Sequence, residues 1–588
     1  MVGAIDERKL LLKEIARMDQ SYDPAVQMIK IPFSSPGYHT TLTAEACPWV
    51  HQTNATAIYA AALLDGGGPD RDSRAFSVLG RLIELQDQDP ASPTYGIWPW
   101  FYEESLQQMS PPDWNWADFI GKQLALSVLR HGDRMPEELG GLVRHAVRCA
   151  GESIIRRNMG PHYTNIAIMG AFVALVAGEV YGWEDMREYG LNRLQKVWEH
   201  VSALGTFQEF NSPAYSRIAV VELARIRQAA RSPLARELAG KLLDQAWRMI
   251  AEHFHPATRE WAGPHSRSYG VQMRDVERAF LQLGTGNRVC YFAWEELPYV
   301  VEYYGNDIRC PDPYLGWFSD HGERRLAQRY QLDNETGREK HAYTAMTPDY
   351  AIGSFSEEIM WNQTRGLLAF IPNQGRTASM RLRFLHDGYD YCSAVLKTCH
   401  AGRNSPPAGE GAAGSVWEGE DVLLGIRFLT DGGDSHPNLD KTGGAIEAAD
   451  FRLRVEFGGE LEGVSASAEG QEVIVRIGRT VVHLRTLYAA FCGSEADLLP
   501  DGPPAWLISR EEGMFACDLV LYSGAAMRMD FRTLEQAALL FLLRIGRDAV
   551  APAVKVEAKA AGETAAAVLT LPNGAEERLV ISVKPGCF

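Results

Sequence analysis

The sequence predicts an α+β protein of two parts. Residues 1–330 read as paired helices in an inner and an outer ring, and 331–588 as stacked antiparallel sheets. Two observations carry this. The apolar period is 3.6 from the N-terminus to about residue 320, and it changes to 2 after about residue 345. A chain of 588 residues is also too long for a single core.

The helical part runs through "ATAIYAAALLDG", "SRAFSVLGRLIELQ", "WADFIGKQLALSVLRHG", "PEELGGLVRHAVRCAGESIIRR", "YTNIAIMGAFVALVAGEVYG", "EDMREYGLNRLQKVWEHV", "AYSRIAVVELARIRQAA" and "PLARELAGKLLDQAWRMIAEHF". Each opens on Pro, Ser or Asp or closes on Gly. Segments that are apolar nearly all round alternate with amphipathic ones, as inner and outer helices require. No strict repeat is present. "IAIMGAFVALVAGEVYGW" comes nearest to membrane length, but its small residues and Glu179 suit a buried helix.

The polar run "SDHGERRLAQRYQLDNETGREKH" is expected to be a linker or a connecting helix. Beyond it, "SMRLRFLH", "DVLLGIRFL", "FRLRVEFGG", "EVIVRIGRTVVHLRTLY" and "FACDLVLYSG" alternate as strands do. "AVLTLPNGAEERLVISV" reads as a hairpin turning at Asn573-Gly574. "LEQAALLFLLRI" fits either a helix or a buried strand.

Composition narrows the function. A net charge of −17 argues against a nucleic-acid scaffold and against a basic membrane-surface protein. The start, "MVGAIDERKLLLKEIARMDQ", lacks the basic-then-apolar layout of a signal peptide. The nine cysteines are scattered without CxxC or Cys/His metal spacing, which reads as reduced thiols. The expectation is therefore a cytoplasmic protein, or an extracellular one if an export segment has been removed. No phosphate-binding glycine loop and no HExxH motif occurs. No cofactor and no metal are expected, and a homo-oligomer is left open.

Four stretches gather polar and aromatic residues near helix starts. "YGIWPWFYEESLQQMSPPDWNWADFI" carries Trp98, Trp100, Trp114 and Trp116, flat faces on which sugar rings can stack. They serve equally to pack a long loop. "NMGPHYTNIAIM" places His162 and Asn165 at the entry to a very apolar helix, where an amide can meet a carboxylate or cap the helix. "GTFQEFNSPAYSRIAVVELARI" brings Asn211, Ser212, Pro213 and Tyr215 to a helix start, with Ser212 as a cap and Tyr215 in the first turn. "WAGPHSRSYGVQM" sets His265, Arg267 and Tyr269 two residues apart in a Gly/Pro-bounded loop.

Asn, His, Arg and Tyr without a metal suit one reaction well. A uronic acid carries a proton on C5, alpha to its carboxylate, and a leaving group at C4. Asn165, His162, Asn211 or Arg267 can bind or neutralise the carboxylate while charge develops. Tyr215, His265 or Tyr269 can move the proton, a Tyr base needing a cationic neighbour such as Arg217, Arg267 or His265. The product is a 4,5-unsaturated uronate.

With "QEFNSPAY", an Asn near a His, aromatic loops, a helical first part and a β-rich second part, the chain resembles the heparinase II/III-type polysaccharide lyases and their alginate- and hyaluronate-lyase relatives. The resemblance implies an incomplete α/α toroid followed by a β-sandwich. It implies an anionic oligosaccharide or polysaccharide substrate, Asn165 as the neutraliser and Tyr215 as acid or base. His162 precedes Asn165 here instead of following it, and His400 in "KTCHAGRNSPP" is a candidate for the sandwich-domain histidine. Two alternatives stay open. One is a glycoside hydrolase using a pair from Glu103, Glu104, Asp113, Asp118 and Glu209. The other is a non-catalytic sugar-binding protein using the Trp loop.

Overall fold

The computed structural model describes residues 6–401, 419–493, 504–511, 513–547, 555–571 and 574–588. These fall into two compact units. Unit 1 holds residues 6–209, Tyr215–Arg248 and Asp275–Asp312; unit 2 holds Phe210–Ala214, Met249–Arg274 and the described part of Pro313–Phe588.

Ten α-helices occur among the described residues: α1 Glu7–Asp19, α2 Thr53–Gly66, α3 Pro69–Glu84, α4 Trp116–His131, α5 Glu137–Arg157, α6 Thr164–Tyr181, α7 Glu184–Leu204, α8 Pro213–Ala229, α9 Pro233–Glu252 and α10 Asp275–Gly284. Their ends follow local chemistry. Proline is the first residue of α3, α8 and α9, where its missing N–H costs nothing. Asn158, Gly182 and Gly205 close α5, α6 and α7 in the left-handed conformation, each donating its N–H back to the last turn.

In unit 1 the helices pair as α2/α3, α4/α5 and α6/α7, and α2 packs on α4 and α4 on α6. Every residue of α6 from Thr164 to Gly178 is buried. By contrast α3 buries only Ala75, Val78, Leu79, Leu82 and Ile83, one stripe at helical spacing. The same stripe recurs in α9 as Leu238, Ala239, Leu242, Leu243, Ala246 and Trp247. Inner and outer helices therefore alternate, giving an incomplete α/α toroid. The α6/α7 pair is close because a Cβ on Gly178 would lie 2.5 Å from Arg187 N, and one on Gly190 2.5 Å from Leu175 N. Helix α6 is long and apolar enough to cross a membrane, yet it is the buried core helix of this unit.

A charged network ties the inner helices together. Lys122 of α4 lies 2.7 Å from Glu222 of α8 and 3.1 Å from Glu302, and Arg225 lies 2.9 Å from Glu222. Burial alone would raise the Glu302 carboxyl, but Lys122 and Arg225 hold it down at about 2.

Unit 2 is a β-sandwich, and its named strand pairs are antiparallel. One sheet runs, in spatial order, Trp506–Glu511, Met514–Asp530, Ala445–Gly459, Arg376–His386, Leu367–Asn373, Ala351–Phe355, Glu339–Met346 and Arg324–Leu332. The second runs Ser465–Glu469, Glu472–Ile477, Thr480–Gly493, Leu534–Arg547, Gly419–Phe428, Ala394–His400 and Glu357–Ile359. Ile352, Met380, Phe384 and Val455 of the first share one core with Ile426, Leu484, Leu539 and Phe541 of the second.

A third sheet, Lys555–Ala561, Thr564–Thr570 and Glu576–Ser582, adds a separate core in which Leu540 and Leu542 meet Ala567, Leu569 and Ile581. The strand Leu534–Arg547 is thus covered on both faces, which explains the unbroken apolar run that sequence alone left as helix or strand. The hairpin Thr564–Thr570/Glu576–Ser582 forms as expected, although Asn573 of its turn lies outside the described residues.

The polar run is not a linker. Arg324–Leu332 and Glu339–Met346 pair as two strands around a turn at Asp333–Gly337, with Gly337 at φ 69°. Leu326 and Tyr330 face inward on one side, and the charges around them, Arg324, Arg325 and Arg329, read as a loop only because the strand is at a sheet edge.

Candidate active site

The starts of four inner helices of unit 1 meet through their side chains. Trp116, first in α4, donates its indole N–H to Thr53 Oγ1, first in α2, at 2.9 Å. Asn115, just before α4, accepts from Arg157 at 2.5 Å and donates to the Tyr163 hydroxyl at 3.3 Å, just before α6. A small recess then joins α6 to α8, lined by Thr164, Phe207, Glu209, Tyr215, Ser216, Ala219 and Ala246. The positive ends of these helix dipoles therefore gather at one end of the ring.

The centre of this region is Asn165, second in α6 and 1% exposed. Its backbone N–H donates to Glu209 at 2.7 Å, and its Nδ2 donates to both Glu209 oxygens at 2.9 and 2.7 Å. In return, the Glu209 backbone N–H points to Thr164 Oγ1 at 3.4 Å. A carboxylate thus sits on the N-terminus of an 18-residue helix, held by a backbone and a side-chain amide. Tyr215, half-buried in the first turn of α8, lines the same recess as Glu209. His162 is exposed and lies near enough to His200 to depress it further, after burial has done most of that work. His200 meets Gln208 at 2.9 Å.

The four tryptophans separate. Trp98 is fully buried and donates to Leu82 O at 2.8 Å, so it is a core residue that pins α3 and not a sugar platform. Trp100 and Trp116 stack on each other at 5.1 Å and are half-buried, as is Trp114, whose indole N–H donates to Pro93 O. Asp118, a rival acid in the sequence, is buried in α4, and burial lifts its carboxyl to about 7 against the pull of Arg193 and Arg157.

In unit 2 the expected trio serves mainly to fasten a loop. Asn211, placed by sequence among substrate ligands, is fully buried at φ 49°. Its Nδ2 donates to Ala262 O at 2.8 Å and Pro264 O at 3.0 Å, and its Oδ1 accepts from Trp261 at 2.6 Å. These bonds commit the amide to the chain itself. His265, proposed as catalytic, is 1% exposed, with Nδ1 2.6 Å from Asn211 O. Burial, reinforced by Arg365, pushes it down to about 3, so it is neutral and supplies no cation to a tyrosine.

Ser212 gives its hydroxyl to Arg267 O. The Arg267 guanidinium donates to Gln363 Oε1 at 3.0 and 3.1 Å and lies over the Trp361 ring. Tyr269 is 52% exposed beneath Arg274. His400 is buried, its Nε2 2.7 Å from Ser354 Oγ. Among the described residues no group of three His, Cys, Asp or Glu is placed to hold a metal.

Sequence reasoning knew Glu209 only as a rival acid and missed that it caps α6. No local signal shows this, since the partners are 44 residues apart. Asn115 was missed as well, although an Asn directly before a helix is a recognisable start.

A family model described as "Domain of unknown function (DUF8769)" matches residues 8–282. No curated protein matches the sequence. Similar solved structures include heparinase III, at 12% identity over 99% of this chain and 92% of that one, with a TM-score of 0.42. The Streptomyces coelicolor A3 chondroitin AC lyase in complex with chondroitin sulphate aligns at 10% identity over 99% and 95%, with a TM-score of 0.45. A Paenibacillus xanthan lyase aligns at 9% identity over 98% and 64%, with a TM-score of 0.42.

Proposed function

We propose that the protein is a lyase that cleaves uronic-acid-containing oligosaccharides or polysaccharides by β-elimination, with Tyr215 moving the proton and Asn165 neutralising the carboxylate. The observation that carries the reading is the pose of Glu209. Two Asn165 amide donors at the start of α6 already hold a carboxylate, and Tyr215 lines the recess beside it. A site with the donors for a carboxylate and a phenol next to it has the parts this reaction needs.

The chemistry follows from those parts. Removing the C5 proton builds a second negative charge on the uronate carboxyl, and fixed N–H donors at a helix N-terminus offset charge as it develops. Tyr215, as a phenolate, takes the C5 proton and hands it to the departing O4, which leaves as a hydroxyl. The C4–O4 bond breaks as the C4–C5 double bond forms, and no water is consumed. Half-buried Trp100, Trp114 and Trp116 offer faces for neighbouring sugar rings.

Glycoside hydrolysis is the weaker reading. It needs two carboxyl groups across the bond, and Glu209 is the one acid among the residues lining the recess. An ultraviolet absorbance scan over a panel of uronate polymers and oligomers tests the proposal. Elimination creates a conjugated enol-acid chromophore, while reducing ends that appear without absorbance mean hydrolysis.

A further inference from the structure

We infer that Glu209 is a built-in occupant of the carboxylate subsite, holding in the free protein the donors that a uronate must take, so that substrate binds by displacing it. The inference rests on the reading of Asn165 as the uronate's partner.

Three observations support it. First, the donor side of Asn165 is engaged by one carboxylate: the backbone N–H at 2.7 Å and Nδ2 at 2.7 and 2.9 Å all point to Glu209. Second, Asn165 Oδ1 is buried and has no hydrogen-bond partner among the described residues. The amide is oriented by its bond to Glu209 and not by a network around it. A buried amide oxygen left unpaired is costly, so the arrangement is held by the strength of the charged bond on the other side. Third, Glu209 comes from the short segment between α7 and α8 and lines the same recess as Tyr215, the residue read as the proton carrier.

Two carboxylates cannot both use these donors. Like charges sharing a site repel strongly, so a uronate arriving at Asn165 must move Glu209 aside or share a proton with it. Displacement costs least, because the dipole of α6 rewards one carboxylate as it does another. The affinity for uronate is then set by the difference between two similar interactions. Neutral sugars and weakly acidic ligands, which gain less at these donors than Glu209 does, are excluded by the same competition. Glu209 is therefore a specificity-determining residue and not an acid or a base.

Calorimetric titration of the full chain with glucuronate at pH 7 tests this, in the unaltered protein, Glu209→Gln and Asn165→Ala. Gln keeps an acceptor for the helix start and removes the charge. Glu209→Gln should bind glucuronate about tenfold or more tightly, the weight of a charged hydrogen bond, and Asn165→Ala should bind more weakly than the unaltered protein. Unchanged or weaker binding by folded Glu209→Gln, with binding by the unaltered protein intact, overturns the inference and leaves the role of Asn165 standing. Absence of glucuronate binding in both overturns the role of Asn165 and the inference with it.

Should Glu209→Gln fail to fold, the unaltered protein decides. With Glu carboxyl carbons labelled, the Glu209 resonance should move with the same midpoint as the Asn165 amide during the titration. A Glu209 resonance that stays fixed while the Asn165 amide shifts overturns displacement.

Discussion

The two carboxylate oxygens of Glu209 lie 2.7 and 2.9 Å from Asn165 Nδ2, and one of them lies 2.7 Å from the Asn165 backbone nitrogen. This pair ties the segment before α8 to the first turn of α6, so it has a structural as well as a chemical weight. Glu209→Ala should lower stability by about 1–2 kcal/mol, the size of a lost helix cap reinforced by the dipole. Thermal melts of Glu209→Ala and Glu209→Gln measure it, with Gln expected to lose less.

Asn165→Ala should reduce kcat by about 10²–10³ with a smaller change in KM, since the charge it offsets grows in the transition state. Steady-state kinetics on any substrate found in the absorbance scan make the comparison. A rise in KM at constant kcat would instead make Asn165 a ground-state ligand.

Trp98 and Trp114 should part company under substitution. Trp98→Ala empties a fully buried site and breaks the bond to Leu82 O, at a cost of about 3–5 kcal/mol. Trp114→Ala should change stability by less than about 1 kcal/mol and weaken oligosaccharide binding. Paired denaturant titrations and binding isotherms separate the two roles.

The buried network of unit 1 should be intolerant of losing one member. Lys122→Met takes from Glu222 its 2.7 Å partner and from Glu302 its 3.1 Å one, leaving both carboxylates to Arg225, and should cost about 3 kcal/mol. Urea unfolding gives the value, and adding Glu222→Gln to Lys122→Met should recover part of it.

Acid should act on unit 2 through its buried histidines. His253 and His255 are pushed down to about 4 and His265 to about 3, each mainly by burial, from an ordinary value of 6.5. Above pH 6.5 the rings are neutral folded or unfolded, and stability is complete. As pH falls from there through about 4 the unfolded chain takes up protons that the folded chain refuses, so stability falls, by up to about 3 kcal/mol per ring. Melting temperature measured across pH 7 to 4 should drop, and His265→Gln should flatten part of the slope.

Much of the fold was readable because period is a local property. The switch from 3.6 to 2 separates helices from strands, and the alternation of α6 with α3 or α9 shows in which residues are apolar. Where reading failed, the cause was non-local. Leu534–Arg547 carries both apolar faces because the third sheet covers the second one, and no window of its own sequence shows that cover. Arg324–Leu332 looked like a linker because edge strands carry charge.

The same division holds for the candidate site. Asn165 and Tyr215 stand out at helix starts, but Glu209 meets Asn165 only through the pairing of distant helices. Asn211 and His265 looked reactive because their residue types are; their buried bonds to Ala262, Pro264 and each other are invisible in the sequence.

The central claim is that Tyr215 carries the proton in an elimination. Ultraviolet absorbance during turnover of a uronate glycan, compared for Tyr215→Phe and Glu209→Gln, tests it most directly. Tyr215→Phe keeps the ring and removes only the hydroxyl, so the account predicts a loss of about 10²–10⁴ in kcat with binding largely retained, while Glu209→Gln still forms the chromophore. Chromophore formation that survives Tyr215→Phe and is abolished by Glu209→Gln would contradict the account and assign the proton transfer to Glu209.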